Sequence, residues 1–190
     1  MNLVVGVDEV GRGPLAGPVI TCAVLWPEDY SLAELNDSKK LSAKKRKFLQ
    51  PCIENMAIRV SFGRAEVEEI DYLNILRATM LAMERAVGGL NEFDVPILID
   101  GNSVPNTLKG RATAIIGGDG LIPAISAASI LAKVARDKEM SDLAKIYPGY
   151  GFEKHAGYPT RAHIEALGAL GVSPIHRRSF APVKKLLEKA

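Results

Sequence analysis

Cysteine is scarce in this chain, which has only two among its 190 residues. Two cysteines do not build a disulfide framework, and their spacing is not that of a metal-thiolate site. Cys22 lies in an apolar run typical of a strand and Cys52 on the apolar face of a predicted helix, so both are expected to be small core residues. This usage argues against a disulfide-rich secreted protein and favours a reducing compartment.

Long apolar segments are also lacking. No stretch approaches the roughly 18 residues that a membrane-spanning helix needs, and the charge of Asp8 comes before a signal-peptide core could form. Internal repeats, low-complexity segments and obvious linkers are absent from the sequence. A chain of this length can bury about 70 % of its unfolded surface in one domain. We therefore expect a cytoplasmic globular protein that contacts no membrane.

Net charge is small, at +2, but the basic residues are unevenly placed. One basic cluster covers 39–47 without an acid, and a second covers 176–189 with Glu188 as its only acid. Such runs are usually solvated helix faces, yet two of them in a nearly neutral chain indicate basic patches beside an acidic centre. The candidates to contact phosphates are Lys39, Lys40, Arg177 and Arg178.

Apolar periodicity predicts an α/β layer sandwich with a mixed sheet. Strands are predicted at 3–8, 18–26 and 59–65, with two further short strands that end in Asp100 and Asp119. Ser42 is expected to cap a helix that Pro51 kinks or breaks. Further helices are predicted at 66–71, 75–87, 123–146, 160–170 and 181–188, with Gly88 at the stop of the second. We expect one domain over 1–146 and a C-terminal helical segment over 147–190.

The segment 8–18, Asp-Glu-Val-Gly-Arg-Gly-Pro-Leu-Ala-Gly-Pro, carries the first chemical signal. It places Asp8 and Glu9 at the end of an apolar run, and its glycines let the backbone approach a ligand closely. Carboxylates beside bare amides suit a divalent cation and a phosphate bound together. The same pattern is common in solvated hairpins, so this segment alone leaves the function open.

Two more acids, Asp100 and Asp119, follow apolar runs in the same way. Acids at the ends of neighbouring strands can converge, and they repel one another unless cations neutralise them. Oxygen ligands without Cys or His select Mg²⁺ or Mn²⁺. Each acid alone could merely cap a turn, whereas three such strand ends in one small domain favour a metal site.

Longer blocks of sequence, from Val7 to Pro182, resemble the type 2 ribonuclease H family, specifically bacterial ribonuclease HII. The blocks are 8–18, 35–42, 70–76, 98–102, 118–119, 125–137, 150–158 and 176–180. One departure is visible at Ala156, where the family usually has a lysine. That change removes a possible phosphate contact and leaves the neighbouring Tyr158 in place.

The resemblance implies the ribonuclease H fold and an endonuclease that cleaves the RNA strand of RNA–DNA hybrids. It also implies incision 5′ of single ribonucleotides in duplex DNA, with two divalent ions, Mn²⁺ or Mg²⁺, and 5′-phosphate and 3′-hydroxyl products. The catalytic and metal-binding acids of the family fall on Asp8, Glu9, Asp100 and Asp119, of which Asp8 and Asp100 are the expected central ligands. Since adjacent residues of a regular strand face opposite ways, Asp8 and Glu9 can both serve only if the strand ends or bulges there.

Asp137 competes with Asp119 for the fourth acidic position. A continuous helix from Pro123 would carry Asp137 about 20 Å from the helix start. Pairing with a nearby base such as Lys133, four residues earlier, is therefore expected for Asp137.

Ribose recognition is expected at two places. Gly11, Arg12 and Gly13 offer backbone groups suited to a 2′-hydroxyl. The family's junction-reading tyrosine falls on Tyr158, although packing on the domain surface is the alternative from the residues alone. A different two-metal nuclease and a non-catalytic nucleic-acid-binding module also remain open. The active form is expected to be a monomer.

Overall fold

The computed structural model describes residues 2–30, 38, 41–91 and 94–189, and it contains a five-stranded mixed sheet flanked by helices. The strand order is β3-β2-β1-β4-β5. β1 pairs antiparallel with β2, as does β2 with β3, while β1, β4 and β5 run parallel. The strands are β1 Leu3–Val10, β2 Val19–Pro27, β3 Arg59–Ala65, β4 Ile97–Asp100 and β5 Ala112–Ile115. The predicted α/β class with a mixed sheet is confirmed.

Helices cover both faces of this sheet. The helices are α1 Ala43–Met56, α2 Val67–Leu73, α3 Ile75–Leu90, α4 Pro123–Ile146, α5 Phe152–His155, α6 Arg161–Leu170 and α7 Ala181–Leu187. Short 3₁₀ turns lie at Asn106–Leu108 and Gly118–Gly120. Within the described residues, none of the helices combines the length and the apolar character that crossing a bilayer requires.

Alternation along the strands divides the core into two layers. Val4 of β1 packs with α1 and α4, whereas Val5 and Val7 pack with α3 and β4. Gly6 lies between them, and a Cβ at this position would collide with the backbone of Ala124 at the start of α4. The absent side chain therefore lets the first turn of α4 press against β1. This close approach brings the start of α4 beside the strand that carries Asp8.

Some local expectations are wrong. Pro51 lies inside α1 without ending it, since Leu49 and Ile53 on either side are anchored in the core, so the predicted break does not occur and the alternative, a kink, stays a prediction. α3 runs past Gly88 to Leu90, and Asn91 adopts the left-handed conformation that closes it. Of the two cysteines, only Cys22 is buried, while Cys52 is partly exposed.

The segment after α4 is tied back to the loop that follows β1. The amide of Leu15 donates to the carbonyl of Gly157 at 2.8 Å, and that of Arg177 donates to the carbonyl of Leu15 at 2.8 Å. Ala16 and His176 form an isolated antiparallel bridge. These contacts hold the two parts of the chain together. They do not test the predicted division at 146, which stays a prediction.

Candidate active site

Three of the four predicted acids meet at one edge of the sheet. Asp8, Asp100 and Asp119 each bring a carboxylate oxygen to within 4.8 Å of the other two. The parallel pairing of β1 with β4 carries Asp8 and Asp100 to the same edge. The predicted strand ending in Asp119 is wrong, because β5 ends at Ile115 and the chain turns at Gly117 before it reaches this residue. Asp119 lies in the 3₁₀ turn before α4, and its amide donates to Oδ1 of Asp100 at 3.3 Å. The tertiary structure therefore forms a carboxylate cluster from three separate segments.

The electrostatics of this cluster suit a cation. Asp8 is only 4 % exposed, and burial, followed by the charges of Glu9 and Asp100, raises its pKa well above the ordinary value. Oxygen ligands at about 2.1 Å from Mg²⁺ lie roughly 3–4 Å from one another, a spacing these carboxylates can reach with small rotations. An all-oxygen donor set that repels itself fits a hard divalent ion.

Glu9 stands apart from the three aspartates. β1 pairs regularly with β2 from Asp8 to Val10, so the strand neither ends nor bulges where the two acids lie. Oε1 of Glu9 lies 3.4 Å from the guanidinium of Arg12. Burial raises the pKa of Glu9, the charge of Arg12 opposes that shift, and Asp100 adds to it. Glu9 is thus electrostatically coupled to the cluster, and its metal-binding role stays a prediction.

Two serines support Asp8, and sequence reasoning missed both. Ser129 of α4 forms a hydrogen bond with the Asp8 carboxylate that opposes the rise in its pKa. The hydroxyl oxygens of Ser129 and Ser38 are 2.8 Å apart, and both residues are buried. Ser38 and Ser129 lie in two of the sequence blocks that carry the family resemblance. Their position in these blocks is the feature of the sequence from which a role near Asp8 could have been predicted.

Asp137 lies outside the cluster, as expected. Its carboxylate is 2.7 Å from Nζ of Lys133 and 3.4 Å from the guanidinium of Arg46. The predicted i, i+4 pair with Lys133 is therefore confirmed.

The glycine-rich loop and Tyr158 are neighbours in the structure. A Cβ placed on Gly13 would lie only 3.5 Å from Cε1 of Tyr158, whose side chain leaves the residue 39 % exposed. Gly157 has φ of +80°, and a Cβ there would lie 2.8 Å from the carbonyl oxygen of Ala16. Glycine at 157 is thus required for the close packing that sets Tyr158 beside Gly13. Arg12 and Gly13 are exposed, whereas Gly11, the third residue predicted to contact the ribose, is buried.

The predicted phosphate contacts divide into three cases. Lys39 and Lys40 lie outside the described residues. Arg178 is exposed, and its backbone amide donates to Asp71 at 2.9 Å. Arg177 is fully buried, with its guanidinium bound to backbone carbonyls, so the prediction that its side chain contacts phosphate is wrong. Because Arg177 lies in a basic cluster of the sequence, its burial could not be predicted from that pattern.

The three histidines of the chain gather beneath Tyr158, and this cluster was not predicted. Rings of His155 and His163 stack with centroids 4.6 Å apart, and Nε2 of His163 lies 3.1 Å from Nε2 of His176. Nδ1 of His163 lies 2.9 Å from the carbonyl oxygen of Tyr158. Burial lowers the pKa of His163, and burial together with the charge of His163 lowers the pKa of His176 to about 4. The lowered pKa values favour the neutral imidazoles of His163 and His176, and His163 supports the Tyr158 backbone.

Acid is expected to weaken this support. Unfolded histidine accepts a proton near pH 6.5, whereas folded His176 does so only near pH 4, so its contribution to the free energy of unfolding is lost as the pH falls across this window. Asp8 and Glu9, with raised pKa values, act in the opposite direction. Melting curves of wild type and His176→Gln at several pH values isolate the histidine: the gap between their melting temperatures should narrow from pH 7 to pH 4.5. A constant gap would contradict the expectation.

A mixed sheet that carries converging carboxylates beside a long helix defines the class: metal-dependent nucleases of the ribonuclease H type. The sequence model of the Ribonuclease HII family matches residues 5–183. The chain belongs to the ribonuclease HII family, which confirms the resemblance. It is therefore a metal-dependent endonuclease that acts on the RNA strand of RNA–DNA hybrids.

Relatives and solved structures agree with this assignment. Ribonuclease HII of Shewanella pealeana is 59 % identical over 182 residues, and that of Shewanella loihica is 60 % identical over 187 residues; both alignments cover 96 % of this chain and 89 % of the relative. Ribonuclease H2 from Pyrococcus horikoshii OT3 has a TM-score of 0.77 at 26 % identity, covering 98 % of each chain.

Two more distant structures show the fold alone. A PCNA:RNase HII complex from Archaeoglobus fulgidus gives a TM-score of 0.79 at 24 % identity, covering 94 % of this chain and 95 % of that one. Bst-RNase HIII in complex with Mn²⁺ gives 0.73 at 18 % identity, covering 100 % of this chain and 70 % of that one.

Proposed function

We propose that this endonuclease also incises duplex DNA on the 5′ side of single embedded ribonucleotides, with two divalent ions held by Asp8, Glu9, Asp100 and Asp119. The observation that carries the proposal is the nearness of the carboxylate cluster to the exposed residues Arg12, Gly13 and Tyr158. Gly11 follows Asp8 by three residues of extended chain, about 10 Å. The short segment 8–13 thus connects the acidic centre to the residues that are proposed to contact the ribose.

Each acid has a definite part in this proposal. Asp8 and Asp100 are the central ligands, and Asp119 completes the cluster. The regular strand turns Glu9 away from Asp8, so Glu9 is proposed as a further ligand only because its charge is coupled to that of Asp100. Divalent ions there would lower the pKa of an attacking water and stabilise the departing 3′-oxygen, which leaves 5′-phosphate and 3′-hydroxyl ends. Ser129 orients the carboxylate of Asp8, and the amide of Asp119 orients that of Asp100. The all-oxygen set supports Mn²⁺ or Mg²⁺, and the Bst-RNase HIII structure holds Mn²⁺.

Ribose recognition is proposed for the exposed residues Arg12, Gly13 and Tyr158, with buried Gly11 at the start of the same loop. Exposed backbone at Arg12 and Gly13 can bond the 2′-hydroxyl, and the ring of Tyr158 can stack on a following sugar that lacks this group. The Tyr158 ring lies beside Gly13, and this nearness supports the reading of both sugars at once.

Phosphate binding is proposed along a groove of about 890 Å³ between α1, α4 and α5, which reaches Tyr158. Lys47, Lys138 and Lys154 line it, and among the described residues none of the three has an acid within ion-pair distance. Lys154 also places a charge on the short helix next to Ala156, where the family usually has a lysine. Lys39, Lys40 and Arg178 remain proposed contacts, without Arg177.

Removal of the groove charges is expected to weaken binding without changing sequence preference. For Lys47→Gln, Lys138→Gln and Lys154→Gln combined, each lost phosphate contact should reduce the slope of log affinity against log salt by about 0.9. Lys184→Gln and Lys185→Gln on α7, combined with Lys189→Gln just after that helix, form a control with the same change in charge. Equal salt slopes for wild type and the groove variant would refute the proposed path.

Cleavage of three matched duplexes tests the proposed function: one with a single ribonucleotide, an all-DNA copy and an RNA–DNA hybrid. We expect incision 5′ of the ribonucleotide, cleavage of the hybrid and no cleavage of the all-DNA duplex, with Mg²⁺ or Mn²⁺. Incision of the all-DNA copy would indicate a general nuclease. An intact ribonucleotide duplex beside a cleaved hybrid would remove the ribonucleotide-incision proposal alone.

We further propose that the active form is a monomer and acts in the cytoplasm. One chain supplies all the proposed acids and the ribose-facing surface, which supports a monomer. Analytical ultracentrifugation of the protein with its duplex tests this, and a stoichiometry of two chains per site would contradict it.

A further inference from the structure

Two buried arginines have no carboxylate partner within the part of the chain that the structure describes. Arg136 of α4 and Arg177 of the C-terminal segment are both 0 % exposed. Among the described residues, their guanidinium groups bond only backbone carbonyl oxygens. Burial is the main cause that lowers the pKa of Arg136 to about 10 and that of Arg177 to about 9. Since burying an unpaired charge is unfavourable, these contacts call for a reason beyond packing.

The Arg177 guanidinium forms hydrogen bonds with both ends of the glycine-rich loop 11–17. One terminal nitrogen donates to the carbonyl of Gly11 at 2.6 Å, and the other donates to that of Arg12 at 3.0 Å. The carbonyl of Gly17 accepts from Nε at 2.9 Å and from a terminal nitrogen at 2.8 Å. One planar guanidinium therefore sets the orientation of two consecutive peptide groups, 11–12 and 12–13.

The direction of those carbonyls determines where the adjacent amides point. No peptide bond described in the structure is cis, and in a trans peptide the C=O and the following N–H point in opposite directions. With the carbonyls of Gly11 and Arg12 turned toward buried Arg177, the N–H groups of Arg12 and Gly13 face away from it. Both residues are exposed, and no acceptor for either N–H occurs among the described residues.

We propose that Arg177 is a positioning residue for ribose recognition, which aims the N–H groups of Arg12 and Gly13 at the 2′-hydroxyl oxygen of the substrate. This inference rests on the ribose reading proposed above and narrows it to two donors. The carbonyls of Gly11 and Arg12 are engaged and do not serve as acceptors. A cation bonded to a carbonyl also polarises its peptide group, which makes the N–H a stronger donor.

Arg177 is itself held in place by its neighbours. Asp71 of α2 accepts hydrogen bonds from the amides of Arg178 and Ser179, each at 2.9 Å, and from the Ser179 hydroxyl at 2.6 Å. The ring of Phe180 lies 5.1 Å from Cζ of Arg177. These contacts fix the backbone on the C-terminal side of Arg177, so the guanidinium meets the loop in one arrangement.

Arg136 provides a matched control. It is equally buried, and its guanidinium donates to the carbonyls of Ala16, Pro18 and Ala156, none of which belongs to the 11–12 or 12–13 peptide. Arg177→Lys and Arg136→Lys each keep the charge and lose the planar fork. Both variants are expected to lower the melting temperature.

The test measures the affinity of each protein for a duplex with one ribonucleotide and for its all-DNA copy. Ca²⁺ serves as the divalent ion, and the duplex is checked for integrity after each measurement. The dissociation constant for the all-DNA copy, divided by that for the ribonucleotide duplex, should be about ten or more for wild type and for Arg136→Lys. For Arg177→Lys this ratio should fall about tenfold, toward one, which is the effect of roughly one lost hydrogen bond to the 2′-hydroxyl.

Other outcomes separate this inference from the proposed function. A full wild-type ratio in Arg177→Lys would overturn the role of Arg177 and leave ribose reading intact, whereas a ratio of one in the wild type would overturn both. If Arg177→Lys does not fold, the inference is tested by NMR on the amide signals of Arg12 and Gly13 in the wild-type protein. They should shift on binding the ribonucleotide duplex and not the all-DNA copy; unchanged signals would overturn the inference.

Discussion

Asp8→Asn or Asp100→Asn is expected to reduce cleavage of an RNA–DNA hybrid by about 100-fold or more, with the fold intact. Each substitution removes a negative charge from a cluster whose carboxylate oxygens lie within 4.8 Å of one another. Steady-state cleavage in Mg²⁺ and in Mn²⁺ measures the loss, and circular dichroism checks the fold. Asp137→Asn, which alters an acid paired with Lys133 outside the cluster, is the matched control and should keep near-normal activity.

Metal binding can also be measured without activity. In the absence of divalent ions, Asp8→Asn should melt at a higher temperature than wild type near pH 7, because burial and neighbouring charges raise the pKa of the Asp8 carboxyl and so oppose its ionised form. Added Mn²⁺ should raise the melting temperature of wild type more than that of the variant. Equal shifts with Mn²⁺, or near-normal cleavage by either Asn variant, would contradict the assignment of these acids as metal ligands.

Tyr158→Ala is expected to reduce incision at a single embedded ribonucleotide by about tenfold or more, the lower range of what a stacked aromatic ring contributes. The loss of thermal stability should be small, because the residue is 39 % exposed and the contact from His163 goes to its backbone carbonyl, which alanine keeps. Rates on the single-ribonucleotide duplex, set beside melting curves, make the comparison.

Two controls define what the Tyr158 result means. Tyr158→Phe keeps the ring and should keep most of the activity, whereas Tyr72→Ala removes a tyrosine that is 89 % exposed on α2 and should change little. Equal activity of wild type and Tyr158→Ala would show that the sugar following the ribonucleotide is read elsewhere.

Features that depend on neighbouring residues in the chain were predictable. The cap at Ser42, the start of α4 at Pro123 and the pair between Lys133 and Asp137 all involve residues within one helical turn. Strands β1 and β2 followed from apolar runs, which are also local features of the sequence. The predicted break at Pro51 and the predicted helix end at Gly88 are wrong, because tertiary packing of the surrounding helix outweighed the local preference of these residues.

The acids of the candidate site were chosen from the sequence, but their relation to one another was not. Parallel pairing of β1 with β4, together with the close approach of α4 at Gly6, brings Asp8, Asp100 and Asp119 together. The regular pairing of β1 through Glu9 shows why adjacency in sequence does not place Glu9 in the same group.

The sequence by itself determined the family, the sheet-and-helix composition and the four acids proposed as ligands, because long motifs and local periodicity are written along the chain. Only the tertiary structure decided which basic side chains face the solvent: Arg177 and Arg178 are adjacent, yet the first is buried against the loop and the second is exposed. It also decided that three histidines meet beneath Tyr158. Burial and contact of this kind join residues far apart in the chain, so they depend on how the segments pack together and no local pattern records them.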